Sequence, residues 1–326
     1  MNHVAIITGA AGGMGTAIAQ RLAKTRTLLL SDVDGDRLNA ATAQLIAEGY
    51  HAHAVCGDIS DPQVSSVLAE HCAALGPLAT MVNAAGLSPV QADWRTIIAA
   101  NIVAPQRLLS AFQPILQDGA VGIMIASVAG HLGPVDAAVQ VLLDDPLQPN
   151  LCDLLEPLLV KIIATHGGTM EGQAYSASKR AVIRMCERRA LDWGAFGARL
   201  VSVSPGVVWT PMGQEEAASG HRAQAMADAT GARFHRARDV GTGAPPRCGR
   251  SAHRVHWRLH ARCRGLPESP RPARRAADRR RRTRHRGPAR GRQRGAAVRP
   301  LPSECGVRVQ RLRAAAACRW PGPRSS

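Results

Sequence analysis

Val4-Ala5-Ile6-Ile7-Thr8-Gly9-Ala10-Ala11-Gly12-Gly13-Met14-Gly15 begins with four apolar residues and ends in a cluster of glycines. An unbroken apolar run this short has the pattern of a strand buried on both faces. Beyond the glycines, Ala17, Ile18, Leu22 and Ala23 recur at helical spacing. The glycines therefore occupy a turn between a strand and a helix. Glycine permits both the tight turn and a close backbone approach to a pyrophosphate, whose charge is met by N–H groups at the helix N-terminus. Gly9, Gly13, Met14 and Gly15 are the candidate contacts. A glycine-rich turn with no ligand is the ordinary alternative, and the strand before and helix after favour the nucleotide site.

The same alternation continues outward. Thr27–Ser31 reads as a second buried strand ending at Asp32, followed by a helix through Leu38, Ala41 and Leu45. A third strand is expected at His53–Cys56, a helix over Val64–Leu75, a fourth strand at Leu78–Val82, a long helix from about Trp94 to Leu116 and a fifth strand at Val121–Ala126. Repeated βα units with apolar strands predict an α/β fold built on a doubly wound parallel sheet, with its ligand site beyond the carboxyl ends of the strands. Asp32 lies about 20 residues beyond the glycines, where an acid can hydrogen-bond the ribose hydroxyls. Its charge would repel a 2′-phosphate, and Ala10–Gly15 contains no arginine or lysine to attract one. NAD is therefore expected over NADP. Capping the next helix is the competing role for Asp32, shared with Asp34 and Asp36.

Polar residues fall at the ends of three further strands, with Asp58 after the third, Asn83 after the fourth and Ser127 after the fifth. Downstream, Tyr175 and Lys179 are four residues apart, which on a helix puts both side chains on one face. A close, poorly solvated ammonium would favour the phenolate and bring proton exchange by Tyr175 toward neutrality.

In order and spacing, Thr8-Gly9-x-x-x-Gly13-x-Gly15, Asp58, Asn83-Ala84-Ala85-Gly86, Asn101, Ser127, Tyr175-x-x-x-Lys179 and Pro205-Gly206 with Thr210 resemble the short-chain dehydrogenase/reductase family over residues 1 to about 215. The resemblance implies a Rossmann-like fold, a nicotinamide dinucleotide and a catalytic tetrad of Asn101, Ser127, Tyr175 and Lys179. It implies that Asp58 and Ile59 lie near the adenine, that Asn83, Ala84 and Gly86 shape the central sheet beside the cofactor, and that Thr210 meets the nicotinamide carboxamide. It implies further that Tyr175 and Lys179 serve the cofactor as well as the chemistry. Family members commonly associate through long helices, so a homo-oligomer is implied too.

Ser127 and Tyr175 are 48 residues apart, against about a dozen usual in the family. The additional segment, roughly residues 134–172, carries Leu151, Leu154, Leu155, Leu158, Leu159, Ile162 and Ile163 at helical spacing, enough for one or two amphipathic helices beside the site. A partner-binding helix pair is the plainer reading of such a stripe. Similarity to the family's bacterial hydroxysteroid dehydrogenases instead points to a small hydrophobic alcohol or ketone, with a 3α-hydroxysteroid as the leading example.

The composition divides the chain of 326 residues in two. Residues 1–232 hold 14 Lys and Arg against 20 Asp and Glu, net −6, whereas residues 233–326 hold 27 arginines, no lysine and 4 acids, net +23. The latter segment, rich in Arg, Ala, Pro and Gly, lacks any sustained period and is expected to be a disordered basic tail. It stands where the family's closing helices and last strand belong. A nucleic-acid-binding arm and a metal site built from Cys248, His253, His256, His260 and Cys263 are weaker readings than out-of-frame translation of GC-rich DNA, which yields this composition and avoids lysine. Loss of the last strand would expose a sheet edge and promote aggregation. The competing function is thus a catalytically impaired dinucleotide-binding protein whose tail contacts nucleic acid. Neither a membrane span nor a signal segment is visible, and eight scattered cysteines suggest no disulfide framework, so a cytoplasmic enzyme is expected.

Overall fold

The computed structural model describes residues 3–206 and 208–219 and the backbone of His235–Arg236. Six strands form one parallel sheet: β1 (Val4–Thr8), β2 (Thr27–Asp32), β3 (Ala52–Cys56), β4 (Leu78–Asn83), β5 (Val121–Ile125) and β6 (Arg199–Val203), in the order β3-β2-β1-β4-β5-β6. The order reverses between β1 and β4, which places the crevice of the fold above their carboxyl ends. The expected doubly wound, Rossmann-like α/β architecture is present.

Strand periodicity, with both faces covered, explains why Val4–Ile7 of β1 is an unbroken apolar run. Val4 and Ile6 of β1 point to one face and join Leu68, Leu108, Phe112 and Val182, while Ala5 and Ile7 point to the other and join Ala19, Leu38 and Leu45. The first face is covered by α3 (Pro62–Leu75), α5 (Ala104–Phe112) and α9 (Met170–Gly194), and the second by α1 (Gly13–Leu22) and α2 (Gly35–Ala47). Asp34 caps α2 by accepting from the Arg37 N–H at 3.0 Å, so the capping role belongs to Asp34 and not Asp32.

The long helix expected from Trp94 to Leu116 is divided. It comprises α4 (Trp94–Ile98), a π turn over Ala99–Val103, α5 and a single 3-10 turn. Asn101 sits in the π turn with its amide satisfied by the Leu87 backbone on both sides, Leu87 N–H donating to Oδ1 at 2.8 Å and Nδ2 donating to Leu87 O at 3.0 Å.

Between α6 (Ala129–Leu132) and α9, the long segment forms α7 (Ala137–Asp144) and α8 (Leu151–His166), where one or two helices were expected. Asp144 accepts from Arg184 at 2.5 Å and pairs with Arg188 at 2.7 Å, fastening α7 to α9, while Arg95 reaches Asp153 and Glu156 and fastens α8 to α4. After β6, β7 (Val208–Trp209) leads into α10 (Pro211–Ala218) and pairs in parallel with β8 (His235–Arg236). Among the described residues β6 is paired on one side only. Apart from the β8 backbone, the basic tail, its cysteine–histidine cluster and the expected disorder and aggregation concern residues outside those described.

Candidate active site

The glycine loop is shaped by contacts that exclude larger residues. Gly9 takes a φ of +68°, and a Cβ there would lie 2.5 Å from Ala85 N. A Cβ on Gly13 would meet Thr210 Cγ2 at 2.7 Å. At the start of α1, Gly12 supplies no side-chain cap and no acid lies in the first turn, so its N–H groups are available to an anion. This donor set fits a pyrophosphate. Three strand-end side chains have defined partners near the loop. Asp32 Oδ2 accepts from the Ala11 N–H at 2.8 Å and Oδ1 from the Asp34 N–H at 3.1 Å. Asn83 is buried and accepts from Thr8 Oγ1 at 2.6 Å, while the following Ala84 N–H donates to Thr8 O, knitting β4 to β1 beneath the loop. Asp58 is exposed and accepts from the Ser60 N–H, whereas the Ile59 side chain is buried in the core, leaving only its backbone to face a ligand.

The four candidate catalytic residues converge from the π turn, the end of β5 and α9. Thr169 caps α9, accepting from the Gly172 N–H at 3.1 Å, and the helix carries Tyr175 and Lys179 on successive turns. The Tyr175 hydroxyl is hydrogen-bonded to Ser127, whose Oγ also accepts from the Ala129 N–H at 3.2 Å. Lys179 Nζ donates to Ile125 O at 3.1 Å and lies 5.7 Å from the Tyr175 ring centroid. Gly86 is the point at which the Asn101 and Lys179 side chains meet, since a Cβ there would stand 2.9 Å from Asn101 Oδ1 and 3.2 Å from Lys179 Nζ. Asn101 Nδ2 also lies 3.4 Å from Ser178 Oγ.

Electrostatics differ from the simple expectation for a Tyr–Lys pair. Burial pushes the Tyr175 hydroxyl up to about 12, against the lowering effect of its Ser127 hydrogen bond, and Glu216 adds to the rise. Burial also pushes Lys179 down to about 8, with Glu216 opposing that shift. The ammonium sits over the ring face and bonds the Ile125 carbonyl.

Tyr175 and Ser127 open onto a cavity of about 560 Å³ also lined by Met14, Val90, Leu132, Pro134, Gln173, Met212 and Glu216. Both ends of the long segment reach this wall, through Pro134 and through Gly168 and Thr169. Thr210 is there as well, but its hydroxyl caps α10 by accepting from the Gly213 N–H at 3.1 Å. Three site residues escape a reading of the sequence: Gln173, Glu216 and Arg37, whose Nη2 donates to Ala11 O at 2.8 Å. None belongs to a spacing motif, and Arg37 reaches the loop only through the packing of α2 against it. Among the described residues no group of three His, Cys, Asp or Glu side chains could hold a metal, and no helix is long and apolar enough to cross a membrane.

Comparison with known proteins gives two family-model matches, to short chain dehydrogenase over residues 3–139 and to enoyl-(acyl carrier protein) reductase over residues 158–244. Short-chain dehydrogenase/reductase bsc3 of Alternaria brassicicola is 30% identical over 213 residues, which cover 65% of this chain and 76% of that protein. The 3-alpha-hydroxysteroid dehydrogenase/carbonyl reductase of Comamonas testosteroni is 28% identical over 217 residues, covering 64% of this chain and 74% of that one. In structure, a dehydrogenase/reductase from Sinorhizobium meliloti superposes with a TM-score of 0.57 at 25% identity, covering 73% of this chain and 84% of its own.

Proposed function

Because the chain belongs to the short-chain dehydrogenase/reductase family, we propose that it is an NAD-dependent oxidoreductase interconverting a secondary alcohol and a ketone. The observation that carries this reading is the Tyr175 hydroxyl, hydrogen-bonded to Ser127 at the wall of a cavity of about 560 Å³, with the Lys179 ammonium over its ring. NAD bound there would supply the acceptor for the hydride of the carbinol carbon. Gly9, Gly13, Met14, Gly15 and Asp32 would hold its pyrophosphate and ribose, with Asp58, Ile59, Asn83, Ala84, Gly86 and Thr210 along the remainder of its length.

On substrate binding the Ser127 O–H would turn from Tyr175 to the substrate oxygen and hold it beside Tyr175. As the carbon–hydrogen bond breaks, Tyr175 in its phenolate form takes the hydroxyl proton and the carbonyl forms; ketone reduction runs the same proton transfer backwards. Lys179 sets the electrostatic environment of the tyrosine face. Asn101, held rigidly by Leu87, stands beside Lys179 at Gly86 and is suited to fix a water that carries protons away from the site.

The substrate follows from the cavity. Its volume lies within the usual range for small-molecule sites, about 300–1,000 Å³, and Val90, Leu132, Pro134 and Met212 make much of the wall apolar. This favours a hydrophobic alicyclic alcohol or ketone, and the Comamonas relative supports a 3α-hydroxysteroid as the first compound to try. A homo-oligomer is proposed on family grounds.

The test is NADH formation by wild type and Tyr175→Phe with a panel of 3α-hydroxysteroids and short linear alcohols. Loss of the phenol should lower the rate by about 10²–10⁴-fold with cofactor binding retained. A Tyr175→Phe rate within tenfold of wild type refutes the acid–base assignment. Good turnover of linear alcohols without any of steroids refutes the substrate class.

A further inference from the structure

Gln173 stands two residues before Tyr175 on α9 and lines the same cavity, yet the residue is only 5% exposed. Its Nε2 donates to Gly167 O at 2.7 Å. A carbonyl can only accept, so this bond fixes which end of the amide is nitrogen and which is oxygen. The accepting carbonyl is itself held in place. Gly167 closes α8 with a φ of +71°, and its N–H donates to Ile163 O at 2.8 Å. The end of α8 therefore holds the Gln173 amide in one orientation.

The other end of that amide is uncommitted. Gln173 Oε1 accepts from no described residue, and it is not among the atoms sealed in the core. A buried acceptor left without a donor is costly, and a ligand hydroxyl that meets it restores the bond. The remaining polar side chains of the wall are engaged or unselective. Ser127 and Tyr175 bond each other, while Thr169 and Thr210 accept from helix N–H groups. The Ser176 hydroxyl can rotate to donate or to accept, so it favours neither. Glu216 adds a carboxylate, again an acceptor. Beyond the reacting oxygen, the described wall thus offers a ligand side-chain acceptors and no fixed side-chain donor.

We propose that Gln173 is a specificity-determining residue: its Oε1 accepts a hydrogen bond from a second hydroxyl of the substrate, which is therefore an apolar alicyclic alcohol or ketone carrying at least one further hydroxyl group. The inference rests on the reading of Tyr175 and its cavity as an alcohol–ketone site. An ether or a hydrogen in place of that hydroxyl cannot donate, so each leaves the amide oxygen unmet. The site then separates donors from non-donors of nearly the same size.

The experiment measures steady-state oxidation by the full chain with saturating NAD. The substrates are 3α-hydroxysteroids with a second hydroxyl on another ring, their methyl ethers at that second oxygen, and the parent mono-alcohols. Cyclohexanediols, their monomethyl ethers and cyclohexanol form a smaller series for the case that steroids are not turned over. Wild type should favour the best diol over its ether and its mono-alcohol by about tenfold in kcat/KM, with the difference residing in KM. Gln173→Met is of similar length without the acceptor and should cut that preference to less than about threefold. Gln173→Glu keeps an acceptor in either protonation state and should keep the preference. A wild type that treats diol, ether and mono-alcohol alike in both series overturns the proposal without any variant. Equal losses for diol and ether in Gln173→Met would make the residue a brace for Gly167 only and overturn it too. A preference that survives Gln173→Met and disappears in Glu216→Gln would assign the acceptor to Glu216 instead. Turnover of neither series refutes the alcohol–ketone reading itself, and this inference falls with it.

Discussion

Replacing Lys179 by methionine should stabilise the protein while disabling it. Lys179 is buried, 7% exposed, and burial lowers its pKa from 10.5 to about 8. A difference of that size corresponds to about 3 kcal/mol, the cost of keeping the charged form in the folded state below pH 8. Methionine is unbranched and similar in length, so it can fill the same channel without the charge. Its drawback is the lost bond from Nζ to Ile125 O, worth about 1–3 kcal/mol where the carbonyl finds no other partner. The net expectation is a gain of about 1 kcal/mol at pH 7. Its pH dependence is more diagnostic than its size. The folded wild type releases the Lys179 proton before the unfolded chain does, so the penalty is complete below pH 8 and is relieved as pH rises toward 10.5. The advantage of Lys179→Met must therefore shrink through that window. Above pH 10, Tyr175, raised to about 12, imposes the opposite slope by ionising first in the unfolded chain, and so the comparison ends there. Urea unfolding of both proteins at pH 7, 8, 9 and 10 measures the effect, with turnover as the companion readout. A variant less stable than wild type by a margin that is constant with pH would refute the reasoning.

Two further expectations concern the cavity and the sheet. Glu216 raises the pKa of Tyr175, so Glu216→Gln should move the acid limb of the alcohol-oxidation profile to lower pH and raise the rate below that limb on the order of twofold; a limb displaced upward would contradict the sign. Gly122 in β5 packs so closely that a Cβ would lie 2.7 Å from Leu200 Cδ1 and from the Trp193 ring, so Gly122→Ala should lower the unfolding free energy by about 1–3 kcal/mol, and an unchanged urea midpoint would show that the contact relaxes freely.

The sheet was legible because a parallel strand buried on both faces must be apolar along its whole length, and Val4–Ile7, Thr27–Ser31 and Val121–Ala126 all announce themselves that way. The catalytic candidates were legible for another reason: strand ends and a four-residue helical spacing are local properties. What the sequence withheld depends on contacts between distant segments. Three aspartates in five residues offer the same cap, and only the path of the chain assigns Asp34 to α2 and Asp32 to the Ala11 peptide. The π turn at Asn101 follows from an amide bonding the backbone of Leu87, 14 residues away, which helical periodicity cannot encode. Spacing alone put Lys179 on the face of Tyr175, but the carbonyl of Ile125, 54 residues earlier, decides where its ammonium comes to rest. Placed over the ring and bound to that carbonyl, the ammonium does not bring the phenol near neutrality by itself, because two buried groups each favour their neutral form. A productive tyrosinate then requires positive charge or hydrogen bonding beyond this pair and beyond the Ser127 hydrogen bond, whose lowering effect burial already outweighs.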